Sequence, residues 1–355
     1  MAYTTIDDPS AYFQNATWSG SGGTQSITFD GNSNMKPDWT WTKPRGIAFN
    51  HSLQDSSRGI GSSGKTLSSN TNTQDADISD YMMTFDTNGF SVGAGDAGFN
   101  ASNDTYVSWC WKANGGTTST NSDGDINSTV QVNSTAGFSI ITDSPANNTA
   151  RTIGHGLGAK PDFIIRRARN RSEDWCVYHS AFESTLPGGF QGLNTNAAYN
   201  DSATTLFTSV SNTTFGVGTD FSVNGGFNYI TYAFKEVQGY SKFGSYTGNG
   251  SSTNGVFIYL GFKPAFFISK RSDSTSNWLI FDNKRGEFNL NDNYLYANSN
   301  DVEGTSSSAG VDFLSNGVRM RNTYADANTN NAKYVYLAFA ENPFVTSTGI
   351  PSTAR

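Results

Sequence analysis

Lys36-Pro-Asp-Trp-Thr-Trp-Thr-Lys43 decides the fold, because the chain contains two further versions of it. Lys160-Pro-Asp-Phe-Ile-Ile-Arg-Arg167 and Lys263-Pro-Ala-Phe-Phe-Ile-Ser-Lys270 keep the same order of lysine, proline, aromatic residue and final cation. Side chains alternate along a strand, so each segment places two apolar side chains and then its final cation on one side. We expect each segment to be a strand that enters the core after the proline and leaves it at the cation.

A second motif, rich in aromatic residues, follows the first at a nearly constant distance. It opens with Tyr106, Tyr229 and Tyr334. It lies 69 residues after Pro37, 68 residues after Pro161 and 70 residues after Pro264. Chance matches would not keep one spacing three times, so we interpret the chain as three related units.

The composition favours strands in these units. Aromatic residues make up 14% of the chain and charged residues 15%, and glycine occurs 37 times. Good helix formers are scarce, whereas turn residues and aromatic strand formers are abundant. We therefore predict an all-β fold of three tandem, sequence-related, β-sandwich-like units, each close to a seven-strand sandwich of about 100 residues in size.

The unit boundaries follow from the motifs. The first unit with an N-terminal segment spans 1–113, the second spans 137–239, and the third with a C-terminal tail spans 240–355. The stretch 114–136 is rich in small polar residues and is predicted to be a polar linker. We expect a cut in this linker to leave a folded fragment of the second and third units. The sequence leaves open whether the units lie as separate beads or around a pseudo-threefold axis.

The repeated residues are interpreted as structural anchors. Trp175 and Trp278 open a further strand in the second and third units, whereas the first unit has Gly46-Ile-Ala-Phe49 in that place. Cys110 stands where the other units have alanine, and Cys176 stands where the third unit has leucine. Both cysteines are therefore expected to be buried thiols. The anchors are Pro37, Pro161, Pro264, Tyr106, Tyr229, Tyr334, Trp175 and Trp278.

One cluster of cations occurs only in the second unit. Arg166, Arg169 and Arg171 lie within six residues of one another. Arg167, between them, matches the final cation of the other two anchor strands and is expected to belong to the common frame, paired with an aspartate. A basic patch on an acidic protein suits an anionic sugar, a phosphate or the acidic face of a partner, and an ordinary solvated loop is the alternative. The three arginines are the candidate ligand- or partner-binding residues.

Motifs for a catalytic serine, a zinc protease, a phosphate loop or a dinucleotide site do not occur in the sequence. His179 stands where the third unit has Asp282 and the first has Asn50, which suggests a polar cap at a strand end. His155 lies in a glycine-rich turn without a counterpart in the other units. We predict no catalytic residue, no cofactor and no metal, and therefore a protein that is not an enzyme.

Two acidic patterns leave alternatives open. Glu173 and Asp174 are the natural pair for glycoside hydrolysis, which needs two carboxyl groups at the right separation. A polysaccharide depolymerase is therefore a less favoured alternative, since the third unit has Ser276 and Asn277 in the same place. Residues 121–127 space oxygen atoms as a calcium loop does, but lack its glycine and its closing glutamate, which favours a solvated segment over a weak calcium site.

The net charge argues against a nucleic-acid partner. The formal charge is −7 and the isoelectric point is near 4.9, whereas nucleic-acid binding requires a dense basic face. No run of 18 apolar residues occurs, so membrane insertion is not expected. The first ten residues lack the pattern of a secretory signal peptide.

Several of these segments resemble a family of marine tailed-phage virion proteins. They are the Lys-Pro-Asp-aromatic strand, the strands at Trp175 and Trp278, the Asn88-Gly-Phe90 hairpin and the strand from Tyr106 to Lys112. The opening Thr5-Ile-Asp-Asp-Pro-Ser-Ala-Tyr-Phe13 is also similar to the start of such proteins. These β-rich repeat proteins are labelled tail-fibre-like or capsid-associated, and the resemblance covers nearly the whole chain.

The resemblance implies a non-enzymatic bacteriophage virion structural protein, made in the host cytoplasm and exposed on the virion surface. An adhesin-type component of a tail fibre that binds the host surface is the favoured role. A capsid decoration or head-fibre protein that binds the major capsid protein is the alternative. The expected partners are other virion proteins, further copies of the chain in a homotrimer, and a host surface glycan.

Overall fold

The structure is a computed structural model that describes residues 3–61, 64–77, 82–187, 189–201 and 204–352. Its named strands pair antiparallel with their neighbours. Short 3-10 helices lie at Pro9–Ala11 and Ser180–Thr185. The prediction of an all-β fold is confirmed.

Strands follow one another along all of the described ranges. Those of the first unit are β1 (Phe13–Ser19), β2 (Gln25–Thr28), β3 (Trp39–Pro44), β4 (Ser52–Asp55), β5 (Lys65–Thr66), β6 (Ala76–Asp77), β7 (Met82–Asp86), β8 (Gly89–Val92) and β9 (Thr105–Trp111). Next come β10 (Ser119–Asn121), β11 (Ser128–Asn133), β12 (Phe138–Asp143), β13 (Arg151–Gly154), β14 (Phe163–Ala168), β15 (Cys176–His179), β16 (Gln191–Gly192), β17 (Phe207–Val210), β18 (Thr214–Val217) and β19 (Tyr229–Phe234). The remainder are β20 (Ser241–Thr247), β21 (Phe257–Tyr259), β22 (Phe262–Arg271), β23 (Trp278–Asp282), β24 (Asn293–Tyr296), β25 (Gly304–Thr305), β26 (Val311–Leu314), β27 (Gly317–Met320) and β28 (Lys333–Pro343).

Each unit contains one large sheet and one three-stranded sheet. The first large sheet has the order β1-β9-β3-β4, and its four places are taken by β12-β19-β14-β15 and by β20-β28-β22-β23 in the other units. The small sheets have the orders β2-β8-β7, β13-β18-β17 and β21-β27-β26. Seven strand positions thus recur in each unit, which agrees with the expected size of a sandwich.

The pairing register places the anchor strands in equivalent positions. Trp41 of β3 pairs with Trp109 of β9, and the same pair is Ile165 with Tyr232 in the second unit and Ile268 with Leu337 in the third. The anchor prolines are buried. Pro37 and Pro161 lie two residues before their strands, and Pro264 is the third residue of β22.

Each anchor tyrosine is buried, and its hydroxyl donates a hydrogen bond to a carbonyl in the loop before its strand. The bonds are Tyr106 to Ala97 (3.2 Å), Tyr229 to Phe221 (2.7 Å) and Tyr334 to Ala325 (2.8 Å). A buried hydroxyl group needs a partner, and here the partner is a backbone carbonyl group. The tyrosine therefore recurs because it fastens this loop to the sheet.

The large sheets are buried on both faces. One face of each packs against the small sheet of its own unit, which gives the units separate apolar clusters. The other face joins one central cluster that contains residues of all three units. Strands of this kind read as nearly continuous apolar runs, as β9, β19 and β28 do.

Aromatic rings connect the three units across this central cluster. The contacts between units include Trp39 with Tyr232 (centroids 4.3 Å apart), Trp111 with Phe339 (5.5 Å) and Phe163 with Phe243 (6.0 Å). Such pairs contribute roughly 0.5–1.5 kcal/mol each beyond the burial of their surface. The units therefore share a core, and the arrangement around a common axis, not separate beads, is the one observed.

Backbone hydrogen bonds close the three units into a ring. Each bond runs from a loop of one unit to the end of the anchor strand in the next. They join Asp75 N to Arg169 O (2.8 Å), Tyr199 N to Ser272 O (2.9 Å) and Glu303 N to Arg45 O (2.8 Å). The last bond returns from the third unit to the first, so every unit contacts both others.

The anchor tryptophans contribute to the same ring. Trp175 Nε1 donates to Ser68 O of the first unit at 2.8 Å, and Trp278 Nε1 donates to Gly192 O of the second at 2.8 Å. In the first unit His51 takes this place, with Nε2 lying 2.9 Å from Tyr296 O of the third. The expectation that Gly46–Phe49 replaces the tryptophan segment is therefore wrong, since β4 begins later, directly after His51.

The segment 114–136 is not a linker. It contains β10 and β11, which extend the large sheet of the second unit beside β12. The Gln131 side chain of β11 is buried and donates to Ser56 Oγ (3.0 Å) and Ser57 Oγ (2.9 Å) of the first unit. A cut here would remove the first unit from a core that it shares, which contradicts the expected independent fragment.

Candidate binding groove

Arg166 lies inside the second unit. Its guanidinium donates to both carboxylate oxygens of Asp143 at 2.7 Å, and both side chains are fully buried. Further bonds reach Thr231 Oγ1 (2.7 Å) and Val223 O (2.8 Å), and the group lies 4.3 Å from the centre of the Tyr229 ring. The interpretation of Arg166 as a ligand-binding residue is wrong, because its charge is already satisfied in the core.

Arg169 and Arg171 do not form a common patch with it. Arg169 Nε donates to Asp75 Oδ2 at 2.7 Å, across the interface of the first and second units. Arg171 is paired with Glu173 and stacks over Phe221, 4.5 Å from the ring centre. The Arg171 side chain is 42% exposed, so a partner contact at this residue stays a prediction.

The final cation of each anchor strand is buried, although the sequence suggested that the strand leaves the core there. Lys43, Arg167 and Lys270 have no exposed surface. Arg167 donates to Thr71 O (2.8 Å) and to Thr73 O in the first unit, so its expected pairing with an aspartate is wrong. These cations satisfy carbonyl groups beside the unit interfaces.

The three histidines are buried and serve as hydrogen-bonding caps. His179 Nδ1 accepts from Ala181 N (3.1 Å), and its Nε2 lies 3.0 Å from Tyr336 O of the third unit. Burial lowers the pKa of His179 to about 4 and that of His51 to about 3, so both rings are neutral at pH 7. His155 Nδ1 likewise accepts from Leu157 N, at 3.2 Å.

The residue of the first unit that is equivalent to His179 is Asp55, and not Asn50 as expected. Phe163 pairs with His179, Phe266 pairs with Asp282, and Trp39 pairs with Asp55. Asn50 therefore lies outside this set. The spacing from the anchor strand is in fact the same in all three units, 16 residues from Trp39 to Asp55, from Phe163 to His179 and from Phe266 to Asp282.

The acidic candidates have structural partners. Glu173 accepts from Arg171 and, at 3.3 Å, from Ser222 Oγ, while Asp174 accepts from Asn194 Nδ2 at 2.7 Å. In the loop 121–127, Asp125 Oδ2 accepts from the backbone and hydroxyl of Thr152, at 2.7 and 3.0 Å. Among the residues that the structure describes, no group of three or more histidine, cysteine, aspartate or glutamate side chains suits a metal ion.

The cysteines are buried free thiols, as expected. Burial raises the pKa of Cys110 to about 12 and raises that of Cys176 as well. Thiols with a raised pKa contain little of the reactive thiolate. Both residues fill space in the sandwich cores.

A polar groove opens on the third unit and reaches the first unit at one end, since residues of the first unit line only its smallest cavity. Three adjoining cavities of about 230, 400 and 600 Å³ form it, and the two larger ones are of the size that ligand pockets have, about 300–1,000 Å³. Glu341 lines all three cavities. Seven amide side chains also line the groove, namely Gln14, Asn15, Asn32, Asn283, Asn289, Asn316 and Asn342.

Hydrogen bonds hold the polar groups of the groove in place. Glu341 accepts from Lys263 Nζ at 2.8 Å and from Asn283 Nδ2 at 2.9 Å. Asn283 Oδ1 in turn accepts from Asn15 Nδ2 of the first unit at 3.0 Å, and Asn15 also donates to Ala265 O at 3.1 Å. The two units thus build one continuous network along the groove floor.

Asn15 links the first unit to this network. Register places Asn15 of β1 opposite Trp109, where β12 has Ile140 and β20 has Phe243, both of which belong to the central apolar cluster. Those apolar side chains pack in the shared core instead, and Gln131 bonds the first unit to the second at the corresponding position. Asn15 is a departure from the shared pattern that becomes visible once the register of the three first strands is known.

The outward face of the third small sheet is a second distinctive surface. Phe257 and Tyr259 of β21 are 40% and 52% exposed, and Arg319 of β27 pairs opposite Phe257. The equivalent strands of the other units have small residues there. They are Ser26 and Thr28 in the first unit, and Thr152 and Gly154 in the second.

The fold and the groove together define an all-β protein of three sandwich units with a polar groove on the third unit that reaches the first. The chain belongs to the family described as "Domain of unknown function (DUF7483)", whose model matches residues 8–343. Neither a curated protein nor a solved structure matches the chain. Within the described ranges, no helix combines the length and apolar character that crossing a bilayer requires.

Proposed function

We propose that the protein is a non-enzymatic virion structural protein, exposed on the particle surface, that acts as an adhesin-type component of a tail fibre and binds the host surface through the groove. The observation that carries this proposal is the groove itself. Its polar groups come from two units and are fixed by mutual hydrogen bonds before any ligand arrives, which lowers the entropic cost of binding.

Binding without reaction is consistent with the roles of the other polar groups. The histidines are buried caps, the cysteines are buried thiols, and the acidic pair at Glu173 accepts hydrogen bonds from neighbouring side chains. In this frame the histidine, cysteine and acidic side chains stabilise the fold. A rigid fold of this kind suits a protein that must resist proteases on a particle surface. Its partners would be other virion proteins and copies of itself, with a homotrimer as the predicted assembly.

Two measurements test the proposal. An electron cryo-microscopy map of the virion, with labelled antibody, locates the protein on the tail fibre if the proposal is right. Purified, fluorescently labelled protein binds host cells, and Phe288→Ala in the groove weakens this binding. Phe221→Ala is the matched control, because Phe221 is also an exposed phenylalanine, at 42%, but belongs to the second unit.

The exposed aromatic face of the third unit favours a second candidate, a capsid decoration or head-fibre protein that binds the major capsid protein. Exposed aromatic residues beside an arginine are typical of the centres of protein interfaces. In this case the virion map would show hundreds of copies on the head. Phe257→Ala would then release the protein from the capsid, whereas the groove variant would not.

A further inference from the structure

The charges that line the groove are already paired within it. Lys263 binds Glu341 at 2.8 Å, and Lys284 binds Asp30 at 2.6 Å. Glu287 adds a further carboxylate to the wall, so three acidic groups stand against two lysines. An anionic ligand would have to displace one of these pairs and would approach a protein with a net charge of −7.

Within the uncharged lining, Asn32, Asn316 and Asn342 offer hydrogen-bond donors and acceptors to a ligand. The amides of Gln14, Asn15, Asn283 and Asn289 already bond within the protein and form the fixed wall of the groove. An amide side chain presents a carbonyl oxygen and two N–H groups, so it can pair with a hydroxyl group as either partner. Beside these amides Phe288 is 81% exposed, which leaves the face of its ring free to cover an apolar surface of a ligand. A ligand that fits has many hydroxyl groups, no net charge and some exposed C–H surface.

From this chemistry we infer that the groove binds a neutral, hydroxyl-rich glycan chain, and the inference rests on the attachment role proposed above. Three cavities in series, joined by shared lining residues, suit an extended chain better than a compact molecule. The neutral charge distinguishes this ligand from the anionic sugar or phosphate that the arginine cluster suggested.

Asn15 is the residue that links the first unit to the groove, because its amide donates to Asn283 Oδ1 at 3.0 Å. Asn15→Ile introduces the residue that the second unit has at the same position. The change places an apolar side chain against Asn283 and removes the bond that orients its amide. Phe288→Ala changes the exposed wall instead, and its high exposure makes a loss of folding improbable as a cause of lost binding.

The test is a glycan-binding assay with the full-length protein. Immobilised glucan, mannan, galactan and chitin oligosaccharides serve as neutral probes, and heparin and polyuronate oligosaccharides serve as anionic ones. We expect binding to at least one neutral probe and none to the anionic probes. Asn15→Ile and Phe288→Ala each weaken that binding tenfold or more, while Phe221→Ala leaves it unchanged.

The possible outcomes distinguish a failure of the glycan inference from a failure of the proposed attachment role. Tighter binding to the anionic probes, or neutral binding that survives both groove variants, overturns the inference. Binding to host cells without binding to any neutral probe also overturns it, and leaves the attachment role standing. A protein that binds neither cells nor probes contradicts the attachment role itself.

Discussion

Trp109 and Asp282 are joined by a hydrogen bond of 2.9 Å between the indole Nε1 and Oδ2, although 173 positions separate them in the chain. Tyr232 and Asp55 form the equivalent bond, of 2.7 Å, between the second and first units. Each aspartate also binds a buried arginine three residues later. At the remaining interface His179 takes the place of the aspartate, so two interfaces of the ring are ionic and one is neutral.

Removal of these donors should weaken the ring at two separate places. Trp109→Phe leaves the buried Asp282 with one bond fewer and a smaller ring in the core, which should cost roughly 2–4 kcal/mol of unfolding free energy. Tyr232→Phe removes only the hydroxyl and should cost roughly 1–3 kcal/mol. Denaturant unfolding measures both. A surface substitution usually changes the unfolding free energy by about 0.5 kcal/mol or less. A loss no larger than this in both variants would contradict the structural role.

Acid should destabilise the protein through His51 and His179. Burial lowers their pKa values to about 3 and about 4, whereas the unfolded rings have a pKa near 6.5. The unfolded state therefore binds more protons below pH 6.5, so stability is lost as the pH falls from about 6.5 towards 4. Each ring should contribute about 2 kcal/mol to the loss by pH 5.

Urea titrations at pH 7 and pH 5 check this acid dependence. His51→Asn and His179→Asn should each reduce the difference in unfolding free energy between the two pH values, whatever their effect at pH 7. An unchanged difference in both variants would show that the rings are protonated in the folded state as well.

The repeated anchors made the strands predictable from the sequence, because a packing role leaves the same residue type at the same spacing in each unit. The ring was not predictable from the sequence. It is closed by bonds to backbone carbonyl groups such as Ser68 O and Gly192 O. Every residue has a backbone carbonyl group, so the residue type does not show which of them accepts such a bond. The interpretation of Arg166 as a surface residue was wrong because its partner was not recognised. That partner, Asp143, stands where the other units have Trp18 and Tyr246. Two departures at neighbouring positions indicated a buried pair, not a surface patch.

The groove left one signal in the sequence, at Asn15. Its equivalents are apolar, but the equivalence depends on the register of the first strand of each unit, which only the structure supplies. The segment 114–136 gave the opposite signal. Its polar composition suggested a linker, whereas β11 uses buried Gln131 to seal an interface.

Alkali should stabilise the protein through the buried lysines. Burial lowers the pKa of Lys43 and of Lys270 to about 8, from an ordinary value of 10.5. The folded state therefore releases protons from about pH 8 upwards while the unfolded state still holds them, so the unfolding free energy rises with pH in this range. Lys270→Met should flatten the rise measured between pH 7.5 and pH 9, and a variant with the full slope would contradict the cost of burying this charge.

The protein should release no new reducing ends from host surface glycans during prolonged incubation. The carboxylates of Glu173 and Asp174 are held by Arg171, Ser222 and Asn194. A glycosidase instead needs two carboxyl groups that flank the bond to be cut. A reducing-sugar assay measures this. Release by the purified protein that disappears in the double variant Glu173→Ala, Asp174→Ala would establish a depolymerase instead.

Differential scanning calorimetry of the full-length protein tests the closed ring most directly. Three units that share one aromatic core and each contact both others should unfold together, in a single transition whose calorimetric and van't Hoff enthalpies agree. Trp109→Phe should lower the temperature of that transition without splitting it. Two or three resolved transitions in the unaltered protein would mean that the units are stable separately, and would contradict the shared core.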